Sequence, residues 1–208
     1  MYLVLIAGGH AAGKRTVAHD LARAVAEESA PGTKYHMSGD TRGLRVEVID
    51  LGEYQLEPYQ PAVDFPRLHA DLEKAGPNTV VFVHGLYALL DASLTAKARL
   101  RVFVDSDADV RLSQWILRDE GRRSLEQILE EYLDHCRFEF TRYVEPTKPN
   151  ADVFLPQGSE HMTIELLAYD VRQSVHKKLH PASSRSTPMV NLRAEAASNM
   201  EDRYYAAN

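Results

Sequence analysis

One short strand, one glycine-rich loop and one helix follow each other without interruption at the start of the chain. Residues 2–7 (Tyr-Leu-Val-Leu-Ile-Ala) form an apolar run of strand length. The loop at 8–16 (Gly-Gly-His-Ala-Ala-Gly-Lys-Arg-Thr) comes next, and Val17, Leu21 and Val25 then recur at helical spacing. In this context the pattern G-x-x-x-x-G-K predicts a phosphate-binding loop, because its backbone N–H groups and the following helix N-terminus point at a polyphosphate.

Two neighbouring residues of this loop bear on its chemistry. Lys14 is placed to reach the terminal phosphates. The next position is normally Ser or Thr, whose hydroxyl ligates Mg²⁺, and here it is Arg15. Arg15 has two interpretations: a solvated first-turn side chain, or a permanent cation in part of the space that Mg²⁺ would use. The loop therefore predicts nucleotide binding, and Arg15 weakens the case for phosphoryl transfer.

Strand-like and helix-like segments alternate along the chain, which predicts an α/β fold with a doubly wound, mostly parallel sheet. The further strands are predicted at 45–51, 79–83, 100–104 and 153–155, and helices at 64–74, from Ser106, from Ser124 and at 163–179. The helix from Ser124 carries one apolar stripe, formed by Leu125, Ile128, Leu129, Tyr132 and Leu133. Residues 1–180 are predicted to form one domain, and the polar segment 181–208 a flexible tail.

Composition excludes several classes of protein. The 208 residues carry a formal net charge of −6, so there is no bulk basic surface for nucleic acid. The single cysteine, Cys136, excludes an internal disulfide framework and a cysteine-cluster metal site, and a helical position favours an inert, buried thiol. The first apolar run is too short for a signal peptide or a membrane span. We therefore expect a protein of the cytosol or nucleus without a membrane partner.

Three blocks of sequence resemble the uridine kinase family of P-loop nucleoside kinases, over about residues 1–179. They are the loop and helix start at 8–18, the stretch 103–112 (Phe-Val-Asp-Ser-Asp-Ala-Asp-Val-Arg-Leu) with Leu-Arg-Asp at 117–119, and the region 144–158, which contains Val-Glu-Pro-Thr-Lys, Ala-Asp-Val and Pro-x-Gly. The resemblance implies a helical lid near 107–148, binding of ATP with Mg²⁺, and phosphorylation of the 5′-hydroxyl of uridine or cytidine.

The departures from that family fall on the chemistry. The family has an aspartate at the end of the second strand, where this chain has Gly52, and a carboxylate at the end of the third strand, where it has His84. Two lid arginines of the family are replaced by Gln114 and Trp115. The β-hairpin that closes over the nucleoside in the family, inserted between Asp64-Phe65 and Asn78, is missing. Its absence favours a small acceptor, unless a partner chain supplies the hairpin.

Candidate site residues follow from the loop and the resemblance together. Lys14 and three candidate bases, Glu53, Asp50 and His84, are the catalytic candidates, although His84 also fits a histidine that is simply hydrogen-bonded at the sheet edge. The candidate phosphate ligands are Gly8, Gly9, Ala11, Gly13, Lys14, Arg15, Thr16, Arg118, Arg122 and Arg123. The last three fit a solvated loop equally well. No residue is assigned as a metal ligand, and the Mg²⁺ site lacks its usual ligands.

Two functional hypotheses remain open at this point. The first is a divergent ATP-dependent phosphotransferase that acts on a nucleoside or another small hydroxyl acceptor. The second is a catalytically impaired pseudokinase, which binds a nucleotide or uses the fold to present a surface to a protein partner.

Overall fold

The computed structural model describes residues 1–27, 44–156 and 160–179, with side chains described as far as residue 177. Met1–His176 forms one compact unit. The tail predicted at 181–208 lies outside the described residues, so the prediction made for it stays a prediction.

Five parallel strands form one sheet in the order β2–β3–β1–β4–β5. The strands are β1 (Tyr2–Gly8), β2 (Arg45–Asp50), β3 (Thr79–His84), β4 (Leu100–Val104) and β5 (Val153–Leu155). Every residue of β1 and β3 is buried, as expected for parallel strands covered on both faces. The predicted α/β fold with a parallel sheet is confirmed.

Helices connect the strands and cover the sheet. They are α1 (Lys14–Ala26), α2 (Phe65–Glu73), α3 (Ala92–Lys97), α4 (Ala108–Asp119), α5 (Leu125–Glu131), α6 (Arg137–Glu139) and α7 (His161–Leu179). Two π-helical segments, Tyr132–Cys136 and Phe140–Val144, flank α6, and 3₁₀ turns span Leu51–Tyr54 and Glu145–Asn150. Among the described residues, no helix combines the length and the apolar character that a membrane crossing requires.

Local hydrogen bonds explain where most of these helices begin. Asp64 caps α2 by accepting from the N–H of Arg67 at 3.0 Å. The predicted start of α5 is confirmed, since Ser124 and Gln127 form a reciprocal capping box. The predicted cap of α4 at Ser106 is wrong, because α4 begins one residue later, after Asp107, whose carbonyl accepts the first intrahelical bond.

The predicted apolar stripe of α5 divides between two environments. Ile128 and Tyr132 are buried, and so is Cys136, which follows Tyr132 by four residues on the same face. All three pack with Trp115 of α4. Leu125 and Leu133 lie on the neighbouring face and are more than half exposed. Within α5 and the π-helical segment that follows it, the residues at i, i+4 and i+8 from Ile128 therefore form the buried face.

Candidate functional site

The phosphate-binding loop runs from the end of β1 to the first residue of α1. Gly8 ends the strand, and Gly13 directly precedes the helix with a φ of +91°, a left-handed conformation that glycine adopts without strain. No side chain caps the N-terminus of α1. The first-turn N–H groups of α1 are therefore not capped by the chain's own side chains and can bind an anion.

Lys14 is the cation of this loop. Its Nζ donates a hydrogen bond to the carbonyl of Gly9 at 2.6 Å, which holds the ammonium over the loop. Burial and, to a smaller extent, the neighbouring Arg111 guanidinium lower the pKa of Lys14 to about 8, against the opposing charge of Asp50. A phosphate group would supply the negative charge that this buried ammonium lacks.

A cavity of about 520 Å³ opens beside the loop, beyond the carboxyl ends of the central strands. This is where open parallel sheets bind their ligands. Of the predicted site residues it brings together Ala11, Gly13, Lys14, Arg15, Thr16, Asp50, His84 and Arg118. Gly8 and Gly9 lie behind this group in the loop.

Asp50 and His84 face each other across neighbouring strands. They are direct partners in the β2–β3 register, and Nδ1 of His84 lies 4.0 Å from Oδ1 of Asp50. Oδ1 of Asp50 also accepts from the N–H of Gly52 at 2.9 Å, which caps the 3₁₀ turn that follows β2. Burial lowers the pKa of His84, with Lys14 acting in the same direction and Asp50 against it. Burial and Lys14 therefore disfavour the charged form of the His84 imidazole.

The third candidate base, Glu53, is separated from this group. Its side chain is exposed and is not among those lining the cavity, because the 3₁₀ turn places it on the outer side while Gly52 and Gln55 face inward. Of the two candidate carboxylates, only Asp50 therefore lines the cavity together with Lys14.

Arg15 lies at the mouth of the cavity. Its side chain is exposed, and it forms no ion pair with Asp50 or Glu53. Arg15 therefore does not neutralise the carboxylate that faces Lys14.

Only one of the three candidate lid arginines reaches the cavity. Arg118 lines it, lies over the ring of Trp115 at 5.3 Å and pairs with Asp119 at 3.0 Å. Arg123 instead pairs with Glu131 and with Asp119, and Arg122 is exposed.

The sequence analysis missed Arg111, a buried cation on the inner face of α4. Its guanidinium lies 3.8 Å over the ring of Phe140 and against the phosphate loop, where a Cβ on Gly9 would come within 1.7 Å of Nη1. The indication in the sequence was that Arg111 precedes Trp115, which is buried, by four residues, so that both lie on one face of the helix. A side chain at position 9 would therefore have to displace the Arg111 guanidinium.

A second missed feature is a polar network beneath the loop. Nε2 of His10 lies 2.6 Å from a carboxylate oxygen of Glu139, and the Tyr87 hydroxyl donates to the other oxygen. The ring of His10 stacks on Trp115, with centroids 5.2 Å apart. Glu139 is buried, so the network ties the loop to the helical segment around α6.

Comparisons with known proteins show which sequences this chain is similar to. The profile of the Phosphoribulokinase / Uridine kinase family matches residues 56–164. A uridine kinase from Geobacillus sp. (strain WCH70) is 34% identical over 128 residues, which cover 59% of this chain and 61% of that protein. A uridine kinase from Halobacterium salinarum (strain ATCC 700922 / JCM 11081 / NRC-1) is 30% identical over 197 residues, covering 82% and 87%.

A solved structure shows the same fold. The protein from Silicibacter sp. TM1040, described as a fructose transport system kinase, superposes with a TM-score of 0.55 at 18% identity, over 74% of this chain and 89% of that one. At that identity the likeness bears on the fold alone. The family profile and the sequence relatives go further, and the chain belongs to the phosphoribulokinase/uridine kinase family.

Proposed function

We propose that the chain binds ATP at the phosphate loop and transfers the γ-phosphoryl group to a hydroxyl of a nucleoside or another small acceptor. One observation carries the proposal: Lys14, Asp50 and His84 line a single cavity at the carboxyl end of the sheet. A phosphate-binding cation and a carboxylate beside an open cavity are what positioning-based phosphoryl transfer requires.

One side of the cavity binds the phosphates of ATP, and the other side binds the acceptor. The α1 N-terminus and Lys14 bind the β- and γ-phosphates, and Arg118 approaches them from the lid. Leu86, Gln55 and Gln114 line the part of the cavity that remains for the acceptor. No strand lies between α2 and β3 in the described segment 44–156, so no hairpin there encloses the acceptor.

Asp50 acts as the base in this proposal. The acceptor hydroxyl oxygen forms a bond to the γ-phosphorus while the bond from that phosphorus to the β–γ bridging oxygen breaks. The hydroxyl proton passes to the Asp50 carboxylate, and ADP leaves with the electron pair of the broken bond. The Gly52 N–H fixes one carboxylate oxygen, which leaves the other to face the acceptor.

The side chains at the cavity fit Mg²⁺, but they offer it fewer oxygen ligands than the family pattern does. Mg²⁺ takes oxygen ligands and is commonly held by one or two carboxylates together with phosphate oxygens and water. Asp50 supplies one carboxylate and Thr16 one hydroxyl at the cavity, while His84 and Arg15 supply none. When bound with ATP, the ion would neutralise phosphate charge.

The alternative is nucleotide binding without transfer, in a pseudokinase that engages a protein partner. The observation that favours it is the pair Arg15 and His84, which stand where the family has an oxygen ligand. In this alternative the cavity still binds ATP, and the affinity is independent of Mg²⁺.

Calorimetric titration of ATP, with and without Mg²⁺, tests the proposal when combined with an ADP-release assay over uridine, cytidine and simple sugars. Lys14→Ala should abolish most of the binding, whereas Lys74→Ala, an exposed lysine paired with Asp71, should leave it unchanged. ADP release that depends on an acceptor supports transfer. Binding without turnover for any acceptor supports the alternative, and equal binding by Lys14→Ala rules out both.

A further inference from the structure

Three chemically different side chains converge beneath the phosphate loop. A ring nitrogen of His10, Sγ of Cys136 and a carboxylate oxygen of Glu139 all lie within 4.8 Å of one another. Cys136 and Glu139 are buried at 1% exposure each, and His10 is partly buried. His10 belongs to the loop, whereas the other two are three residues apart on the helical segment around α6, where residues at i and i+3 share a face.

We infer that His10, Cys136 and Glu139 form a binding site for a zinc-type divalent cation. Imidazole, thiolate and carboxylate are the three side-chain ligand types that zinc uses, and three protein ligands with one open position make a common zinc coordination. Zinc–ligand distances of about 2.0–2.3 Å require only small side-chain rotations from the present spacing. Mg²⁺ does not compete for this site, because it prefers oxygen ligands alone.

The surroundings of the cluster hold its ligands in place. The Tyr87 hydroxyl donates to one Glu139 oxygen, so the other oxygen remains directed at His10. The Trp115 ring lies against the imidazole of His10. Hydrogen bonds and packing behind the ligands are a regular property of metal sites, since they orient the ligands before the ion arrives.

Binding exchanges protons for the metal ion, without any change of oxidation state. The ion replaces the proton between His10 and Glu139 and displaces the thiol proton of Cys136. Release of ligand protons of this kind accompanies metal binding in general.

This site is separate from the candidate catalytic cavity. Of the residues in and directly behind the cluster, only Tyr87 also lines that cavity. A bound ion would join the phosphate loop to the lid segment through bonds that neither ATP nor an acceptor makes. Zinc should therefore raise the thermal midpoint of unfolding whether or not the protein turns over ATP.

Cobalt(II) spectroscopy on the untagged, reduced protein tests the inference, because the chain has one cysteine. One equivalent of Co²⁺ should produce a sulfur-to-cobalt charge-transfer band that zinc abolishes. Cys136→Ser should remove the band. His10→Gln, which retains a hydrogen-bond donor for Glu139, should weaken Co²⁺ and Zn²⁺ binding at least tenfold.

A matched control is His135→Gln, since His135 neighbours Cys136 but is exposed and stacks on Tyr59 instead. That variant should keep the band and the affinity. Absence of the band in the folded parent, or a band of unchanged intensity and affinity in His10→Gln, would overturn the inference and leave the cluster as a hydrogen-bonded network. Neither result depends on ATP binding.

Discussion

The phosphate side and the acceptor side of the cavity differ in how closely they follow the family pattern. On the phosphate side, Gly13 and Lys14 keep the loop, and Lys14 contacts the Gly9 carbonyl. On the acceptor side, Gly52 and His84 stand where the resemblance predicts carboxylates, and among the described residues that line the cavity only Asp50 has one. In the proposed function, binding and transfer depend on different residues, and single substitutions should separate them.

The largest effect should come from the acceptor side. Asp50→Asn removes the proposed base while keeping a side chain of the same size and an oxygen for the Gly52 N–H. We expect turnover to fall about 10²–10⁴-fold with ATP affinity within about twofold, because general bases contribute on that scale. Steady-state ADP release and calorimetry measure the two quantities.

Glu53→Gln is the control for this change. Glu53 is exposed and outside the cavity lining, so turnover should stay within about twofold of the parent if Asp50 is the base. A loss in Glu53→Gln equal to that in Asp50→Asn would show that the 3₁₀ turn rearranges on substrate binding.

A substitution on the phosphate side of the cavity should change the affinity for ATP. Lys14→Ala removes a charge-assisted contact to phosphate of about 1.5–3 kcal/mol. This loss corresponds to a dissociation constant for ATP that is roughly 10- to 100-fold larger. Calorimetry of the variant beside Lys74→Ala provides the measurement. An unchanged constant would mean that ATP binds elsewhere.

The pH dependence of ATP binding should sharpen the same distinction. The pKa of Lys14 is about 8 in the free protein, so its ammonium is charged at pH 7 and largely neutral at pH 9. Affinity for ATP should fall about tenfold between pH 7 and pH 9, because only about one tenth of the Lys14 side chains stay charged at one pH unit above the pKa. Lys14→Arg, which stays charged, should show little of this fall; an identical fall in both proteins would assign it to another group.

The smallest effect should come from the lid. Arg118→Ala should weaken ATP binding about two- to fivefold, since an exposed charge pair contributes about 1 kcal/mol or less. Arg122→Ala should leave it unchanged, because Arg122 is exposed and does not line the cavity. Equal losses in both variants would indicate a lid that closes further over the nucleotide.

The sequence predicted the elements of the sheet better than the details of the site. β3 is a continuous apolar run whose burial on both faces follows from its composition, and the Ser124 capping box is a local signal. The register between neighbouring strands was harder to predict from the sequence. The pairing of Asp50 with His84 depends on how β2 aligns with β3, which no spacing within either strand specifies.

Residues that act through distant contacts were the ones missed. Arg111 and Glu139 read as ordinary charged residues of helices, and each is buried against the phosphate loop. A buried charge is unfavourable unless it is paired or packed against a suitable partner, so its presence cannot be inferred before the partner is known.

The sequence by itself determined the strand–loop–helix that binds phosphate, because glycine conformations, helix termini and apolar runs are local properties. Only the tertiary structure decided which carboxylate faces Lys14, which lid arginine reaches the cavity, and that His10 meets Cys136 and Glu139 more than 120 residues away. These meetings depend on strand register and helix packing, which are set by the fold of the whole domain.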